Sequence, residues 1–308
     1  MVVVFFGTPA FAVPTLQALL TSAHTVAAVV TQPDRPKGRG QKMTASPVKV
    51  AAGQTLILQP ESAKTEDFAR QLEAFHADIG IVAAYGQILS QPILDTPRLG
   101  MINVHASLLP RYRGAAPVQR AIINGDTETG VTIMRMVRAL DAGPMIATGR
   151  VHIGPEQTNI EIEDALAREG ATLLMDVLDR LGSLPEIPQD DSLATYAPKI
   201  VKDDGRVDWS WPAARIHNVI RALHPWPHAV TFADGRRLIL HRSRPSADRS
   251  DKPAGTVLAA DAGGIHVATG DGTLDLIELQ AEGGRPLPAR DFLAGHPLVP
   301  GTVLRPQA

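Results

Sequence analysis

The chain has 308 residues, of which 44% are hydrophobic, a net charge of −2 and no cysteine. This composition excludes disulfides, thiol catalysis and cysteine-based metal centres, and it confines any nucleic-acid contact to a local basic surface. The apolar run at 2–6 is too short for a signal peptide or a membrane span and is typical of a buried strand. The sequence therefore predicts a soluble, cytoplasmic protein that does not bind a membrane.

The first half of the chain alternates short apolar runs with segments of helical spacing. The runs are rich in β-branched residues and predict buried parallel strands at 2–6, 25–30, 78–84 and 100–105. Apolar spacing, with Pro or Thr at the start, predicts helices at 9–20, 66–76 and 117–123. This alternation predicts a Rossmann-like α/β domain with a mostly parallel sheet.

The pattern changes after residue 130. Strands are predicted at 131–136 and 145–153, and Thr158 with Glu161 forms a predicted capping box for a helix that reaches about residue 181. Residues 190–206 are polar and contain prolines, which is typical of a linker.

After a helix near 211–223, the remaining chain has the pattern of short antiparallel strands. The dipeptide Asp234-Gly235 between two apolar runs predicts a hairpin. Several such strands in about a hundred residues suit a small β-barrel, of which the OB-like type is one candidate. The predicted organisation is a first domain over 1–189, a linker over 190–206 and a second domain over 207–308.

The stretch NVHASLLPRYRG at 103–114 places polar side chains at the end of a predicted buried strand. Asn103 and His105 are two residues apart and therefore share one face of the strand. Asp141 follows a strand that ends near residue 137, so it reaches the same edge of the sheet, where ligands bind in α/β folds.

An asparagine, a histidine and a carboxylate at one place can carry out acyl transfer. The amide donates to a developing oxyanion, the protonated imidazole passes a proton to the leaving nitrogen, and the carboxylate orients the imidazole. The alternative is structural, because Asn and Asp in loops are common turn residues and a histidine at a strand end is commonly part of the packing. The spacing of these residues leaves both interpretations open.

The stretch NVHASLLPRYRGAAPVQRAIINGDTETGVTIM, followed by DAGPM, resembles the folate-dependent formyltransferases. These proteins share Asn-x-His, then SLLP-x-x-x-G, then a later Asp. TQPDRPKGRG at 31–40 and the β-rich second domain narrow the resemblance to the members that act on methionyl-tRNA. The resemblance also includes FFGTPAFA near the start and HPWP at 224–227.

The resemblance implies that the formyl group of 10-formyltetrahydrofolate is transferred to the α-amine of methionyl-initiator tRNA without a metal. The implied catalytic residues are Asn103, His105 and Asp141. The implied folate-binding residues are Ser107, Leu108, Leu109 and Pro110, and, largely through their backbone, Tyr85, Gln87, Ile88 and Leu89.

Basic side chains form the predicted tRNA contacts, since Lys and Arg supply most nonspecific affinity for phosphates. They lie in a Gly- and Pro-rich loop, beside the reaction centre, and on one face of a strand in the second domain. These residues are Arg35, Lys37, Arg39 and Lys42, then Arg111 and Arg113, then Arg242 and Arg244. Ordinary solvated surface charge is the alternative interpretation.

Two other functions remain open. One is a folate enzyme that acts on a small amine or hydrolyses its cofactor, and the other is a noncatalytic RNA-binding protein. The basic loop argues against the first, and the intact Asn103, His105 and Asp141 argue against the second. The chain is expected to act as a monomer.

Several cofactor classes are not predicted. The sequence has no P-loop, and no dinucleotide motif G-x-G-x-x-G follows a predicted strand. His224 and His228 have the spacing of a helical zinc site, but Pro225 and Pro227 rule out a regular helix there. No metal site is therefore predicted.

Overall fold

The computed structural model describes residues 1–37 and 42–307, and these form two compact units. The first unit comprises Met1–Pro117, Glu128–His152 and Glu163–Ala197. The second comprises Val118–Thr127, Ile153–Ile162 and the residues from 198 onward. The predicted boundaries assign the two short stretches to the first domain instead, so those boundaries stay a prediction.

The first unit is built on a mostly parallel sheet, as predicted. Its strands are β1 (Val2–Gly7), β2 (Thr25–Val30), β3 (Arg35–Lys37), β4 (Lys42–Thr44), β5 (Ile57–Leu58), β6 (Ile79–Ala83), β7 (Met101–His105), β8 (Arg113–Gly114), β9 (Glu128–Arg135), β10 (Met145–His152) and β11 (Tyr196–Ala197). Seven of them form one sheet in the order β10-β9-β7-β6-β1-β2-β5. The neighbours β5, β2, β1, β6 and β7 pair in parallel. Strand β9 pairs antiparallel with β7, and β10 pairs antiparallel with β9.

The predicted helices are present, with two differences at their ends, and the structure adds three short helices over 47–51, 91–95 and 289–295. They are α1 (Val13–Leu20), α2 (Pro47–Ala51), α3 (Glu66–Glu73), α4 (Gln91–Asp95), α5 (Pro117–Ile123), α6 (Asn159–Asp179), α7 (Ala213–Ala222) and α8 (Ala289–Gly295), with 3₁₀ turns at Ala10–Ala12, Asp191–Leu193 and Lys202–Gly205. The N-terminal turn of the first predicted helix is 3₁₀, and α3 ends early because His76 has a φ of 46°. Within the described residues, no helix combines the length and apolarity needed to cross a bilayer.

The predicted helix caps are present. The Thr65 hydroxyl accepts a hydrogen bond from the Phe68 amide at 3.3 Å, at the start of α3. The Glu161 carboxylate accepts from the backbone and the hydroxyl of Thr158, both at 2.8 Å, and these hydrogen bonds lower the Glu161 pKa. Each cap satisfies donors that the first turn of a helix leaves free.

The core of the first unit supports the carboxyl ends of the central strands. All residues of β6 and β7 are buried. In β1, every residue except the first is buried. On one side, Val4 and Phe6 pack in a cluster with Phe68 and Leu72 of α3. Because apolar burial on this scale stabilises the sheet, side chains at the end of β7 have a rigid base.

The second unit has the predicted antiparallel strands. They are β12 (Ala229–Ala233), β13 (Arg236–Ser246), β14 (Val257–Asp261), β15 (Gly264–Ala268), β16 (Thr273–Ala281) and β17 (Leu287–Pro288). Their order is β12-β13-β16-β15-β14, with β17 beside β16. The predicted hairpin is confirmed, and Asp234 and Gly235 have the positive φ values, 49° and 74°, of a type I′ turn.

The two ends of this strand order are connected through the C-terminal residues. Phe232 of β12 forms an isolated bridge with Arg305, and Thr256, just before β14, forms one with Val303. In the described residues β12 and β14 do not pair with each other, so closure of the barrel stays a prediction.

The segment predicted as an extended linker is partly folded. Asp191–Leu193 forms a 3₁₀ turn, and β11 pairs in parallel with β8. The Thr195 hydroxyl accepts a hydrogen bond from the Tyr112 amide at 2.9 Å. The polar residues that suggested a solvated linker are thus used in hydrogen bonds, and the segment up to Ala197 belongs to the first unit.

Candidate active site

Asn103 and His105 lie at the carboxyl end of β7, in the middle of the sheet. Asn103 is paired in register with Met134 and His105 with Thr132, both on β9. The two residues are only 9% and 7% exposed, which is low for polar side chains. Their spacing along the strand directs both side chains to one face.

The structure brings His105 and Asp141 together. His105 Nδ1 lies 3.8 Å from Asp141 Oδ2, and their side chains are 7% and 14% exposed. His105 Nε2 lies 3.1 Å from the Tyr112 carbonyl oxygen, which only accepts, so Nε2 carries a proton. Nδ1 is then the ring nitrogen that faces the Asp141 carboxylate.

Asp141 is held by its neighbours in an unusual backbone conformation. Its φ is 48°, and Oδ2 accepts a hydrogen bond from the Gly114 amide at 2.8 Å. The Gln189 side-chain amide donates to the carbonyls of Asp141 and Gly143, both at 2.8 Å. Sequence reasoning missed Gln189, because no local motif marks a residue that acts on a loop far away in the chain.

Arg113 belongs to this support and is not available to a ligand. The residue is 4% exposed. Its guanidinium donates to Gln189 Oε1 at 2.8 Å and to Asp191 Oδ1 at 2.8 Å. The prediction of a tRNA contact at Arg113 therefore conflicts with its burial, and the side chain instead braces the glutamine that holds the Asp141 loop.

The predicted folate segment 107–110 forms a fixed turn directly after His105. Ser107 is fully buried, and its hydroxyl donates to the Arg111 carbonyl at 2.7 Å. The Thr132 hydroxyl donates to the Ser107 carbonyl at 2.7 Å and accepts from the Leu109 amide at 3.1 Å. Leu109 is also buried, whereas Leu108 and Pro110 are half-buried.

The second predicted folate segment uses most of its side chains inside the protein. Tyr85 packs edge-on against Phe6 with ring centroids 5.6 Å apart, and burial raises the Tyr85 pKa to about 12. Leu89 joins the same core, and Gln87 Oε1 accepts from the Ala63 amide at 2.9 Å. Only the Ile88 side chain is well exposed, at 68%. A ligand here meets backbone groups and Ile88.

The remaining basic candidates lie in different surroundings. Arg35 is exposed and pairs with Glu61 at 2.9 Å, and the exposed Arg111 lies over the Tyr112 ring at 5.1 Å. Arg242 and Arg244 are exposed on β13, with the buried Ser243 between them, and the pairing of β13 with β16 is irregular at Arg242. Arg39 lies outside the described residues, and the side chains of Lys37 and Lys42 are not described.

Two family models match the chain. The model described as formyl transferase matches residues 1–178, and the model described as formyl transferase, C-terminal domain, matches residues 199–297. The chain belongs to the formyl transferase family. A methionyl-tRNA formyltransferase from Trichlorobacter lovleyi is 47% identical to it and aligns over 99% of this chain and 97% of its own length. One of the same name from Moorella thermoacetica is 45% identical, with 99% of each chain aligned.

Solved structures share the fold at low sequence identity. WlaRD, a sugar 3N-formyl transferase, has a TM-score of 0.67 at 18% identity and covers 89% of this chain and 96% of its own. HypX from Aquifex aeolicus, solved with tetrahydrofolic acid, has a TM-score of 0.61 at 16% identity, over 94% of this chain and 46% of its own. These likenesses establish the fold alone.

Proposed function

We propose that this protein is an enzyme that transfers the formyl group of 10-formyltetrahydrofolate to the α-amino group of methionyl-initiator tRNA, giving N-formylmethionyl-tRNA for translation initiation. Relatives named methionyl-tRNA formyltransferase support this function, because they are 45–47% identical over nearly the whole chain. The observation that carries the proposal is the distance of 3.8 Å between His105 Nδ1 and Asp141 Oδ2. His105 lies two residues after Asn103 on the same strand.

The reaction begins with attack by the neutral amine on the formyl carbon. An α-amine has a reference pKa of about 7.7–8.0, so a large neutral fraction exists without a strong base. Attack forms the new carbon–nitrogen bond and an oxyanion, to which the Asn103 amide donates. His105 donates to the same oxyanion through Nε2–H after this group leaves the Tyr112 carbonyl, because Nδ1 faces Asp141. His105 then gives a proton to the folate nitrogen as its bond to the formyl carbon breaks, and the proton released by the amine restores the imidazolium.

Asp141 orients the His105 ring in this scheme. Asp141→Asn is expected to lower kcat by about 10–10³-fold, because a catalytic group that loses its orienting partner leaves the reactive geometry. The substituted amide oxygen still accepts from the Gly114 amide, so the loop is expected to keep its shape. Steady-state formylation of methionyl-tRNA measures the effect. Asp176→Asn, on the exposed face of α6, is the matched control, and an unchanged kcat in D141N would remove Asp141 from the mechanism.

The folate co-substrate is proposed to lie along the turn 107–110 and the segment 85–89. The turn is buried and cross-linked by Thr132, which suits a rigid wall beside His105. Because the side chains of Tyr85, Gln87 and Leu89 are occupied, recognition by the second segment uses its backbone and Ile88.

The tRNA is proposed to contact basic residues of both units, with Arg113 left out because it is buried. The proposed contacts are Arg35, Lys37, Arg39, Lys42, Arg111, Arg242 and Arg244. Arg242 and Arg244 are well suited to phosphate, since both are exposed on β13 and neither forms an ion pair with another described residue.

The double variant Arg242→Ala/Arg244→Ala is expected to raise KM for tRNA by about tenfold or more, because a hydrogen bond to a charged group contributes about 1.5–3 kcal/mol. The salt dependence is expected to flatten by about 0.7–0.9 in log–log slope for each phosphate that the variant no longer neutralises. The matched control is Arg285→Ala/Arg290→Ala, which removes the same charge from exposed positions of the same unit. Equal KM values and slopes in the two double variants would exclude a specific tRNA contact on this strand.

The substrate is tested with purified protein, 10-formyltetrahydrofolate and three acceptors: charged initiator tRNA, a small methionyl ester and an amino sugar. We expect transfer to the tRNA at far lower concentration than to either small amine. A preference for the amino sugar would make the protein a small-amine formyltransferase, and absence of transfer to every acceptor would leave an RNA-binding role.

We further propose that the enzyme works in the cytoplasm as a monomer, because the proposed catalytic residues all come from one chain. In this proposal residues 1–189 form the catalytic domain, which also carries some of the tRNA contacts, residues 190–206 form the linker, and residues 207–308 form the second tRNA-binding domain. The matches of separate family models to 1–178 and 199–297 support this division.

A further inference from the structure

Three histidines of the second unit converge from different elements. His224 follows α7, His228 precedes β12, and His241 lies within β13. One ring nitrogen from each lies within 4.8 Å of the other two, and the ring centroids are 4.8, 5.3 and 6.0 Å apart. Pro225 and Pro227 exclude a helix at 224–228, as expected, but the loop that forms there still brings the His224 and His228 rings together. Helical spacing alone is therefore too narrow a criterion for a metal site here.

One hydrogen bond leaves a lone pair on His241, and two other ring nitrogens of the cluster have no partner among the described residues. His241 Nε2 lies 2.9 Å from Gln280 Oε1, and an amide oxygen only accepts, so Nε2 carries the proton and Nδ1 the lone pair. Nδ1 of His224 and Nδ1 of His228 are buried and lack a hydrogen-bond partner among the described residues. Ring nitrogens that converge on one point in this way can be satisfied together by one cation.

The rings line a cavity of about 490 Å³ within the second unit. Its charged lining residues are two glutamates, Glu156 and Glu278, and two arginines, Arg221 and Arg242. Arg221 is directed to the carbonyls of residues 154 and 157, at 3.1 and 2.9 Å. The charges are therefore balanced, and the cavity has room for water beside a bound cation.

We propose that His224, His228 and His241 bind a divalent transition-metal ion of the Zn²⁺ type through three imidazole nitrogens, with water from the cavity as a further ligand. Imidazole donors suit Zn²⁺, Cu²⁺ and Ni²⁺, and three protein ligands with one open position is a known zinc arrangement. Gln280 supplies the outer hydrogen bond that orients a ligating histidine, and its own amide is held by the Gly284 carbonyl at 2.9 Å.

The ion would tie together the end of α7, the start of β12 and the middle of β13, so its role is to stabilise the second unit. None of the three histidines is among the residues proposed for formyl transfer. The metal site and the proposed function therefore stand or fall separately.

The test uses the full-length protein after removal of metals with a chelator. Calorimetric titration with Zn²⁺ is expected to show one ion per chain, and thermal unfolding is expected to shift to higher temperature as Zn²⁺ is added. Titration with Co²⁺ is expected to give the strong visible absorption of a four-coordinate site. Absence of one-to-one binding and of these bands in the wild-type protein would overturn the proposal without any variant.

Variants then locate the ion. His228→Ala and His241→Ala are each expected to weaken Zn²⁺ binding at least about 100-fold, and Gln280→Leu by about 10–100-fold, as outer partners of metal ligands do. His296→Ala, a histidine of the same unit outside the cluster, is the control and is expected to bind as the wild type does. Wild-type affinity in the variants of the cluster would place the ion elsewhere. If a histidine variant fails to fold, Gln280→Leu and the wild-type Co²⁺ spectrum still decide the question.

Discussion

His105→Ala is expected to lower formyl transfer to methionyl-tRNA by about 10²–10⁴-fold, the usual effect of removing a group that transfers a proton. The structure places this imidazole against Asp141, with Nδ1 and Oδ2 3.8 Å apart. Binding of folate and tRNA is expected to change little, because neither needs the proton. Single-turnover formylation and equilibrium folate binding separate the two effects.

This variant also removes the partner of the Tyr112 carbonyl, which costs about 1–3 kcal/mol of stability if the carbonyl stays buried. His105→Gln keeps an N–H donor without an acid of suitable strength, so it separates folding from chemistry. His152→Ala, at the exposed end of β10, is the matched control. Turnover near that of the wild type in both His105 variants would reject the assignment of His105.

Asn103→Ala is expected to reduce kcat by about 10²–10³-fold, the effect of losing one donor to an oxyanion. KM for folate and for tRNA is expected to stay within a few-fold, since the oxyanion forms only during the reaction. Asn103→Asp keeps the size of the side chain but removes the donor and places a negative charge beside the negative oxyanion. This variant is therefore expected to be at least as slow as Asn103→Ala. Both rates are measured with saturating tRNA and folate.

A purely structural role for Asn103 predicts a different result. In that case the alanine variant would unfold at lower temperature and keep its kcat, and the aspartate variant would be the more damaging to stability, because it buries a charge at a position that is 9% exposed. Thermal unfolding measured beside kcat therefore distinguishes a donor to the oxyanion from a packing residue.

The strands and the positions of Asn103 and His105 could be predicted because they depend on local rules. Alternation along a strand and the location of ligands at the carboxyl ends of a parallel sheet require only nearby residues. The turn at Asp234 and Gly235 and the cap at Thr65 are local in the same sense.

The supporting residues could not be predicted, because they act across long stretches of sequence. Arg113 and Gln189 are 76 positions apart, yet their hydrogen bond sets the loop that carries Asp141. An arginine in a basic segment is typical of a surface contact, and only its burial shows otherwise. The histidine cluster could not be predicted for the same reason, because the hairpin of β12 and β13 brings His241 to His224 and His228.

The strand β11 limits where this chain can be divided or recombined. The Thr195 carbonyl accepts from the Arg113 amide at 2.8 Å, the Thr195 hydroxyl holds the Tyr112 amide, and the Tyr112 carbonyl holds His105. A fragment that ends at residue 189 lacks Thr195 and therefore the first two of these hydrogen bonds, whereas one that ends after Ala197 keeps all three. Hybrid proteins that combine the first part of this chain with the second part of a relative therefore need their junction beyond Ala197. The orientation of His105 thus depends, through Tyr112, on Thr195, a residue in a segment whose composition is typical of a linker.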